Sequence, residues 1–180
     1  DILLIKYDAA GNALWSRQLG GTHQDRAKAV ATDGADNVVL AGYTKTALGG
    51  NTHAGLADTA LVKYDANGTL QWIRQLGTAA WDEAAGITTD GSDNIIVVGQ
   101  TDGDLAGAGN AGGTDAFILK YDAAGTLHHV GVTSSFTMAA RRDFARQRPT
   151  ATMSPKPFHR SAATLAQAIA NFVSAVCPIP

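Results

Sequence analysis

The chain has 180 residues, of which 45% are hydrophobic and 17% are charged, so it is long enough for one ordinary domain and too apolar to be wholly disordered. Its single cysteine, Cys177, excludes a disulfide framework within one chain, and no apolar run is long enough to span a membrane. The net charge of −2 argues against a general nucleic-acid-binding protein.

Short β-strands joined by tight turns are predicted from the start of the chain. Four runs have the alternating or continuously apolar pattern of strands, at residues 3–7, 13–19, 27–32 and 38–42. Asp and Gly predict tight turns after the first and third runs, at residues 8–11 and 33–36. A long Gly/Ala-rich connection, residues 45–57, then leads to the next part of the chain.

The whole set of elements then repeats with a period of 57 residues. The tripeptide Lys-Tyr-Asp recurs without a gap, and other residue types keep the same spacing, so the repeat does not arise by chance. We predict structural roles for the repeated residues, in turns, in strand pairing and, for the tryptophans, as wedges between repeats. They are Asp1, Asp58 and Asp115; Tyr7, Tyr64 and Tyr121; Trp15 and Trp72; and Gly42 and Gly99.

Four strands in a meander predict an all-β fold made of β-propeller blades. A β-solenoid is the main alternative, but its coils are usually shorter than this repeat. We expect residues 1–20 to form the two outer strands of one blade, 27–77 a full blade and 84–127 a nearly full blade. So few blades make an incomplete propeller, and we expect the chain to be a fragment of a larger protein.

The repeat resembles the bacterial seven-bladed β-propeller (SBBP) repeat family. The resemblance rests on the segments Asp115–Asp122, Trp72–Gly77 and Asp90–Thr101. One departure is Asp-Gly-x-Asp-Asn where the family pattern has Asp-x-x-Gly-Asn, a swap between two turn-forming residues. The resemblance covers residues 1 to about 127 and implies a module of secreted or surface-exposed bacterial proteins, located outside the cell or in the cell envelope. Such modules usually carry no assigned catalytic residues, so it implies no enzyme activity for this segment.

Residues 128–180 leave the repeat and are predicted to form a basic tail. Six of the fourteen Lys and Arg residues lie after residue 130, with one of the sixteen acidic residues. His129 stands where the period predicts a third tryptophan. Two interpretations stay open: a tail translated out of frame, or a basic linker followed by a helix over residues 162–176.

Two loops contain candidate binding residues. Asp102 and Asp104 begin a segment like a calcium loop, but Ala106 occupies the third ligand position, so calcium is a weak candidate and no other cofactor is predicted. The longer connections, residues 20–26, 45–57, 77–83 and 102–114, should lie together at one end of the blades, opposite the tight turns. These connections differ most between repeats. There Trp81, Asp82 and Glu83 are the candidates for contact with a protein or glycan partner.

The favoured function is a non-enzymatic scaffold or partner-binding module. Its expected partners are further blades of the same propeller, or copies of the chain through self-association, because a short stack of blades leaves sheet faces open. A propeller domain of a glycan-active enzyme and a calcium-stabilised adhesin are the alternatives, since fold alone does not choose among them.

Overall fold

Antiparallel strand pairing organises residues 1–110 and 112–133, the part of the chain that the computed structural model describes. Within these residues ten strands follow one another along the chain. They are β1 (Ile2–Tyr7), β2 (Ala13–Leu19), β3 (Asp25–Thr32), β4 (Val38–Thr44), β5 (Asp58–Tyr64), β6 (Leu70–Leu76), β7 (Asp82–Thr89), β8 (Ile95–Thr101), β9 (Asp115–Tyr121) and β10 (Leu127–Thr133). A single 3₁₀ turn, Leu105–Gly107, lies in the connection before β9.

The strands form three sheets, each a meander of neighbours in the chain. Blade 1 is the pair β1–β2, blade 2 has the order β3-β4-β5-β6, and blade 3 has the order β7-β8-β9-β10. All pairs are antiparallel, and equivalent pairs carry their register shifts at equivalent places, such as Lys6/Tyr7 and Lys63/Tyr64. The prediction of an all-β, blade-like, incomplete propeller is therefore confirmed. No segment of residues 1–110 or 112–133 forms a long apolar helix of the kind that crosses a bilayer.

An aspartate at the start of each tight turn holds its backbone. Asp8 Oδ1 accepts hydrogen bonds from the N–H groups of Ala10 (2.9 Å) and Asn12 (2.8 Å). Such a side-chain bond two residues onward is the Asx-turn that makes aspartate a turn former. The same pair of bonds recurs at Asp33, Asp65 and Asp90. At the fifth turn, Asp122 Oδ1 accepts the bond from the N–H four residues on, that of Thr126 (2.8 Å).

The two kinds of turn place their left-handed residue differently. Between β1 and β2 the left-handed residue is Gly11, with φ +86°. Between β3 and β4, and between β7 and β8, it is Asp36 and Asp93, each with φ 60°. These aspartates occupy the position where the related repeat pattern has glycine. A residue with a Cβ is disfavoured in this conformation, so the departure in sequence places mild strain in both turns.

Replacing Asp36 by Gly should raise the free energy of unfolding by about 0.5–1 kcal/mol, because glycine adopts this φ without steric cost. Asp36 accepts a hydrogen bond from Lys6 Nζ through its backbone oxygen, which the substitution keeps. Urea-induced unfolding of the wild type and Asp36→Gly measures the change.

Asp93→Gly is the matched control, because Asp93 Oδ1 accepts a hydrogen bond from Gly34 N (2.8 Å) that the substitution removes. We expect a smaller gain, or a loss, at that turn. Equal stabilisation at both turns would show that the inter-blade bond contributes nothing.

The core lies between the sheets. One cluster joins blade 1 to blade 2, where Ile2 of blade 1 packs with Leu40 and Val62 of blade 2. A second joins blade 2 to blade 3, where Leu61 of blade 2 packs with Val97 and Leu119 of blade 3. β4 and β5 are buried along their full length because both faces of blade 2 are covered.

Strand β10 continues the repeat fold past residue 127, where the sequence places the end of the repeats. It pairs with β9 from Leu127 to Thr133 and so completes blade 3. Backbone pairing needs no particular side chain, and Val130 and Val132 still pack against the core although the tryptophan is lost. Residues 134–180, which hold the rest of the predicted basic tail and the helix expected over residues 162–176, lie outside the described residues.

Candidate functional site

Buried carboxylates at the strand ends hold the connections between blades through hydrogen bonds. Asp25 Oδ1 accepts a hydrogen bond from Thr44 Oγ1, and its Oδ2 accepts one from Gly21 N (2.9 Å). In the next blade, Asp82 Oδ1 accepts from Thr101 Oγ1 and Oδ2 from Thr78 N (2.6 Å). The carboxylate therefore fastens the long connection to the end of the neighbouring strand.

The repeated Asp58 lies at the same end of blade 2 and is fully buried. Its Oδ2 accepts hydrogen bonds from Ala54 N (2.8 Å) and Gln75 Nε2 (2.8 Å), and it lies 3.3 Å from His53 Nδ1. A Cβ on Gly77 would clash with this carboxylate, as one on Gly20 would clash with Asp1. The Asp–Gly pairing explains why both residue types keep their place in the repeat.

The three residues predicted to contact a partner are divided by the structure. Asp82 is completely buried and holds the loop end described above, so its carboxylate does not face outward. Trp81 is half-buried, with its ring 5.2 Å from the Tyr43 ring and Lys45 Nζ 4.7 Å above it. Glu83 accepts a hydrogen bond from the Trp81 indole (3.1 Å) and pairs with Lys28 (2.7 Å). This set joins blade 2 to blade 3, which the sequence did not indicate because the joining residues lie far apart in the chain.

Asp102 and Asp104, the weak calcium candidates, bond within their own loop. Asp102 Oδ1 accepts a hydrogen bond from Thr114 Oγ1 (2.6 Å), and Asp104 Oδ1 accepts one from Gly109 N (2.7 Å). Within residues 1–110 and 112–133, no three His, Cys, Asp or Glu side chains gather in a way that could hold a metal ion.

At the tight-turn end of the blades, Lys63 links its own blade to the next one. It forms a 2.8 Å ion pair with Asp33, both side chains being almost completely buried, and also donates to Ala123 O of blade 3 (3.1 Å). Burial alone would raise the pKa of Asp33, but hydrogen bonds from Lys63 and Asn37 outweigh it and lower the pKa to about 2. The equivalent pair in blade 3, Lys120 and Asp90, is more exposed (3.2 Å).

The ionised form of Asp33 should stabilise the fold above about pH 4 and lose this effect as the pH falls towards 2. The pKa of Asp33 in the folded chain lies below its ordinary value, so the unfolded chain takes up the proton at a higher pH. The free energy of unfolding therefore falls as the pH falls through this range. Asp33→Asn should lower the free energy of unfolding at pH 7 by roughly 2 kcal/mol and flatten its decline between pH 4 and 2. Denaturant unfolding at a series of pH values measures both.

Asp90→Asn is the control for that experiment. The Asp90–Lys120 ion pair is more exposed to solvent, so its loss should lower the free energy of unfolding by less. Burial raises the pKa of Asp90 too, but hydrogen bonds from Asn94 and from backbone N–H groups outweigh it and lower the pKa to about 2. The decline between pH 4 and 2 should therefore flatten in both variants, and the comparison rests on the loss at pH 7. Equal losses at pH 7 would show that burial of the Asp33–Lys63 pair has no special effect.

On β2 and on β6, the outer strands of blades 1 and 2, a tryptophan and an arginine two residues apart bind the tight turn of the next blade. From β2, Trp15 Nε1 donates to Ala66 O (3.0 Å) and Arg17 Nε donates to Gly68 O. The guanidinium of Arg17 also lies 5.7 Å from the centre of the Trp15 ring, a cation–π contact. We call this pair, with its two carbonyl acceptors, the Trp-x-Arg clamp.

The clamp recurs between blades 2 and 3. Trp72 Nε1 donates to Ala123 O (3.3 Å), Arg74 Nε donates to Gly125 O (2.7 Å), and the two side chains stack at 5.4 Å. The donors and acceptors are separated by 51 residues in both copies. The repeat of Trp-x-Arg was visible in the sequence, but the carbonyl groups that it binds were not, because any residue type supplies one.

Arg74→Met should lower the free energy of unfolding by about 1–2 kcal/mol, since it removes bonds to the Gly125 and Ala124 oxygens and the stacking on Trp72. Thermal or urea unfolding measures the loss. Arg26→Met is the control, because Arg26 is exposed and outside the clamp. Equal losses in the two variants would contradict a special contribution of the clamp.

Comparison with known proteins agrees with this architecture. A family model for the SBBP β-propeller repeat matches residues 71–106. An uncharacterized WD repeat-containing protein of Acanthamoeba polyphaga mimivirus is 29% identical over 136 residues, which cover 66% of this chain and 10% of that protein. The regulatory protein FlaEY of Caulobacter vibrioides is 31% identical over 132 residues, which cover 67% of this chain and 14% of FlaEY. The chain thus spans a small part of the length of both relatives.

Proposed function

We propose that this chain, which carries a β-propeller repeat of the SBBP family, is a non-enzymatic scaffold segment that joins further blades at its open sheet faces and presents its long connections to a partner. The observation that carries the proposal is the identical construction of the two blade junctions. Each combines an apolar cluster with a Trp-x-Arg clamp.

The use of the acidic residues supports a structural function. Catalysis by carboxylates needs groups with contrasting environments around one substrate. Here the aspartates repeat from blade to blade and accept hydrogen bonds from the same kinds of neighbours, as Asp25 and Asp82 do from threonines. The relatives also have names that refer to repeats or regulation rather than to a reaction.

The proposed location is outside the cell or in the cell envelope. It rests on the resemblance to SBBP repeats, which are typical of secreted and surface-exposed bacterial proteins. For the calcium-stabilised adhesin and the glycan-active enzyme, no contact within the described residues gives specific support.

The long-connection end is the proposed partner surface for a protein or glycan. Trp81 is half-buried with Lys45 Nζ 4.7 Å above its ring, and Glu83 accepts a hydrogen bond from its indole. We assign Asp82 to the interior, so the candidate surface is narrower than the sequence alone suggested.

The open face of blade 1 provides a direct test of the scaffold function. Leu3 (67% exposed) and Ile5 (37% exposed) lie on this face, and such uncovered apolar side chains favour association. The wild-type chain should form oligomers at micromolar concentration, and Leu3→Glu/Ile5→Glu should weaken this association by about tenfold or more. Sedimentation velocity over a range of concentrations measures it.

Leu56→Glu is the matched control, since Leu56 is 65% exposed but lies in the connection before β5 rather than on this face. A wild-type chain that stays monomeric, or an equal response to both substitutions, would contradict the proposed use of the face.

A further inference from the structure

The side chains of β1 repeat a pattern that is buried in the other two blades. Tyr7 is 55% exposed, whereas its equivalents Tyr64 and Tyr121 are 4% and 3% exposed. In blade 2, Tyr64 is covered by Trp15 from the preceding blade, with ring centroids 6.1 Å apart. Blade 1 therefore presents the same receiving face, uncovered.

The tight turn of blade 1 is also shaped like the two turns that the clamps grip. A Cβ on Gly68 would lie 2.7 Å from the Trp15 ring, and one on Gly125 would lie 2.9 Å from the Trp72 ring. A Cβ on Gly11 would meet nothing within 4 Å, although the backbone has the same left-handed conformation there. The space that a clamp tryptophan fills in blades 2 and 3 is thus open above Gly11.

The backbone oxygens of the tight turns also differ between blade 1 and the other two blades. Ala66 O and Gly68 O accept hydrogen bonds from the clamp of blade 1. Their equivalents in blade 1, the oxygens of Ala9 and Gly11, meet no hydrogen-bond donor from the described part of the chain. Both residues are exposed, so these acceptors are available to a donor from outside.

We infer that the face of blade 1 is a docking site for a blade of the same repeat type whose outer strand carries Trp-x-Arg. This inference rests on the proposed scaffold function and states what the joining blade must contain. The indole N–H would donate to Ala9 O and the guanidinium to Gly11 O, while the tryptophan ring covers Tyr7. The same donors and acceptors meet at both internal junctions of the chain, and these contacts identify a Trp-x-Arg blade as the occupant.

The third blade of a second copy lacks these groups. By the period of 57 residues, His129 and Gly131 of β10 stand where Trp15 and Arg17 stand in β2. Lys120, the equivalent of the bridging Lys63, is retained and pairs with Asp90. Head-to-tail contact between two wild-type copies can therefore use the apolar faces but not the clamp, and a Trp-x-Arg blade is the better partner.

Restoring the clamp on blade 3 tests the inference in the full chain. His129→Trp/Gly131→Arg should tighten head-to-tail self-association by about tenfold or more over the wild type, as expected for two new hydrogen bonds and one aromatic contact. His129 is exposed, and the atoms nearest to a Cβ on Gly131 belong to the side chains of Ile118 and His129. Sedimentation equilibrium of both chains measures the change, with circular dichroism as the check on folding.

Adding Leu3→Glu/Ile5→Glu to the clamp variant should abolish the gain, whereas adding Leu56→Glu should keep it. His129→Trp alone, at an exposed position, should give an intermediate gain and serves if the double variant does not fold. No gain in either variant, or a gain that survives Leu3→Glu/Ile5→Glu, would overturn the inference. A third outcome separates the two proposals. If association of the wild type depends on Leu3 and Ile5 but the restored clamp does not strengthen it, the scaffold function stands and the requirement for Trp-x-Arg is refuted.

Discussion

The donation of tryptophan and arginine N–H groups into the carbonyl oxygens of the next tight turn is the interaction on which the stack of blades depends. Apolar burial between sheets is strong but has little direction, so it brings blades together without fixing how they sit. The clamp adds directed bonds at one end of each junction, and Trp15 contributes to both because its ring packs in the apolar cluster while its indole donates. The buried aspartates then fix the connections at the opposite end.

The sequence predicted the strands and their division into blades because that information is local and repeated. Alternating apolar residues define most of the strands, and the aspartate that opens each turn accepts a backbone N–H bond from the residue four positions away. A period of 57 residues then places the same elements in each blade. In the sequence, aspartate in place of glycine is a swap between two turn-forming residues, and the left-handed φ of Asp36 shows that this swap adds strain to the turn.

The candidate site was less predictable because it depends on contacts between distant segments. Tyr43, Lys45 and Lys28 of the preceding blade approach Trp81 and Glu83, and nothing in the sequence indicated these contacts. The burial of Asp82 follows from Thr101, which lies in the neighbouring strand. Likewise, strand β10 persists without its tryptophan because it pairs with the backbone of β9. The residue pattern of a single repeat does not predict these contacts, because they join different strands and different blades.

The incomplete sheet of blade 1 gives the molecule an uneven distribution of cooperativity. A two-stranded sheet is marginal by itself, so β1 and β2 keep their structure through blade 2, while blade 2 is covered on both faces. Among the described residues, blades 1 and 3 each contact one other blade, but blade 1 has two strands and blade 3 has four, so local opening should start in blade 1. Amide protons of blade 1 would then exchange with solvent through partial opening. Those of β4 and β5 would exchange only through global unfolding.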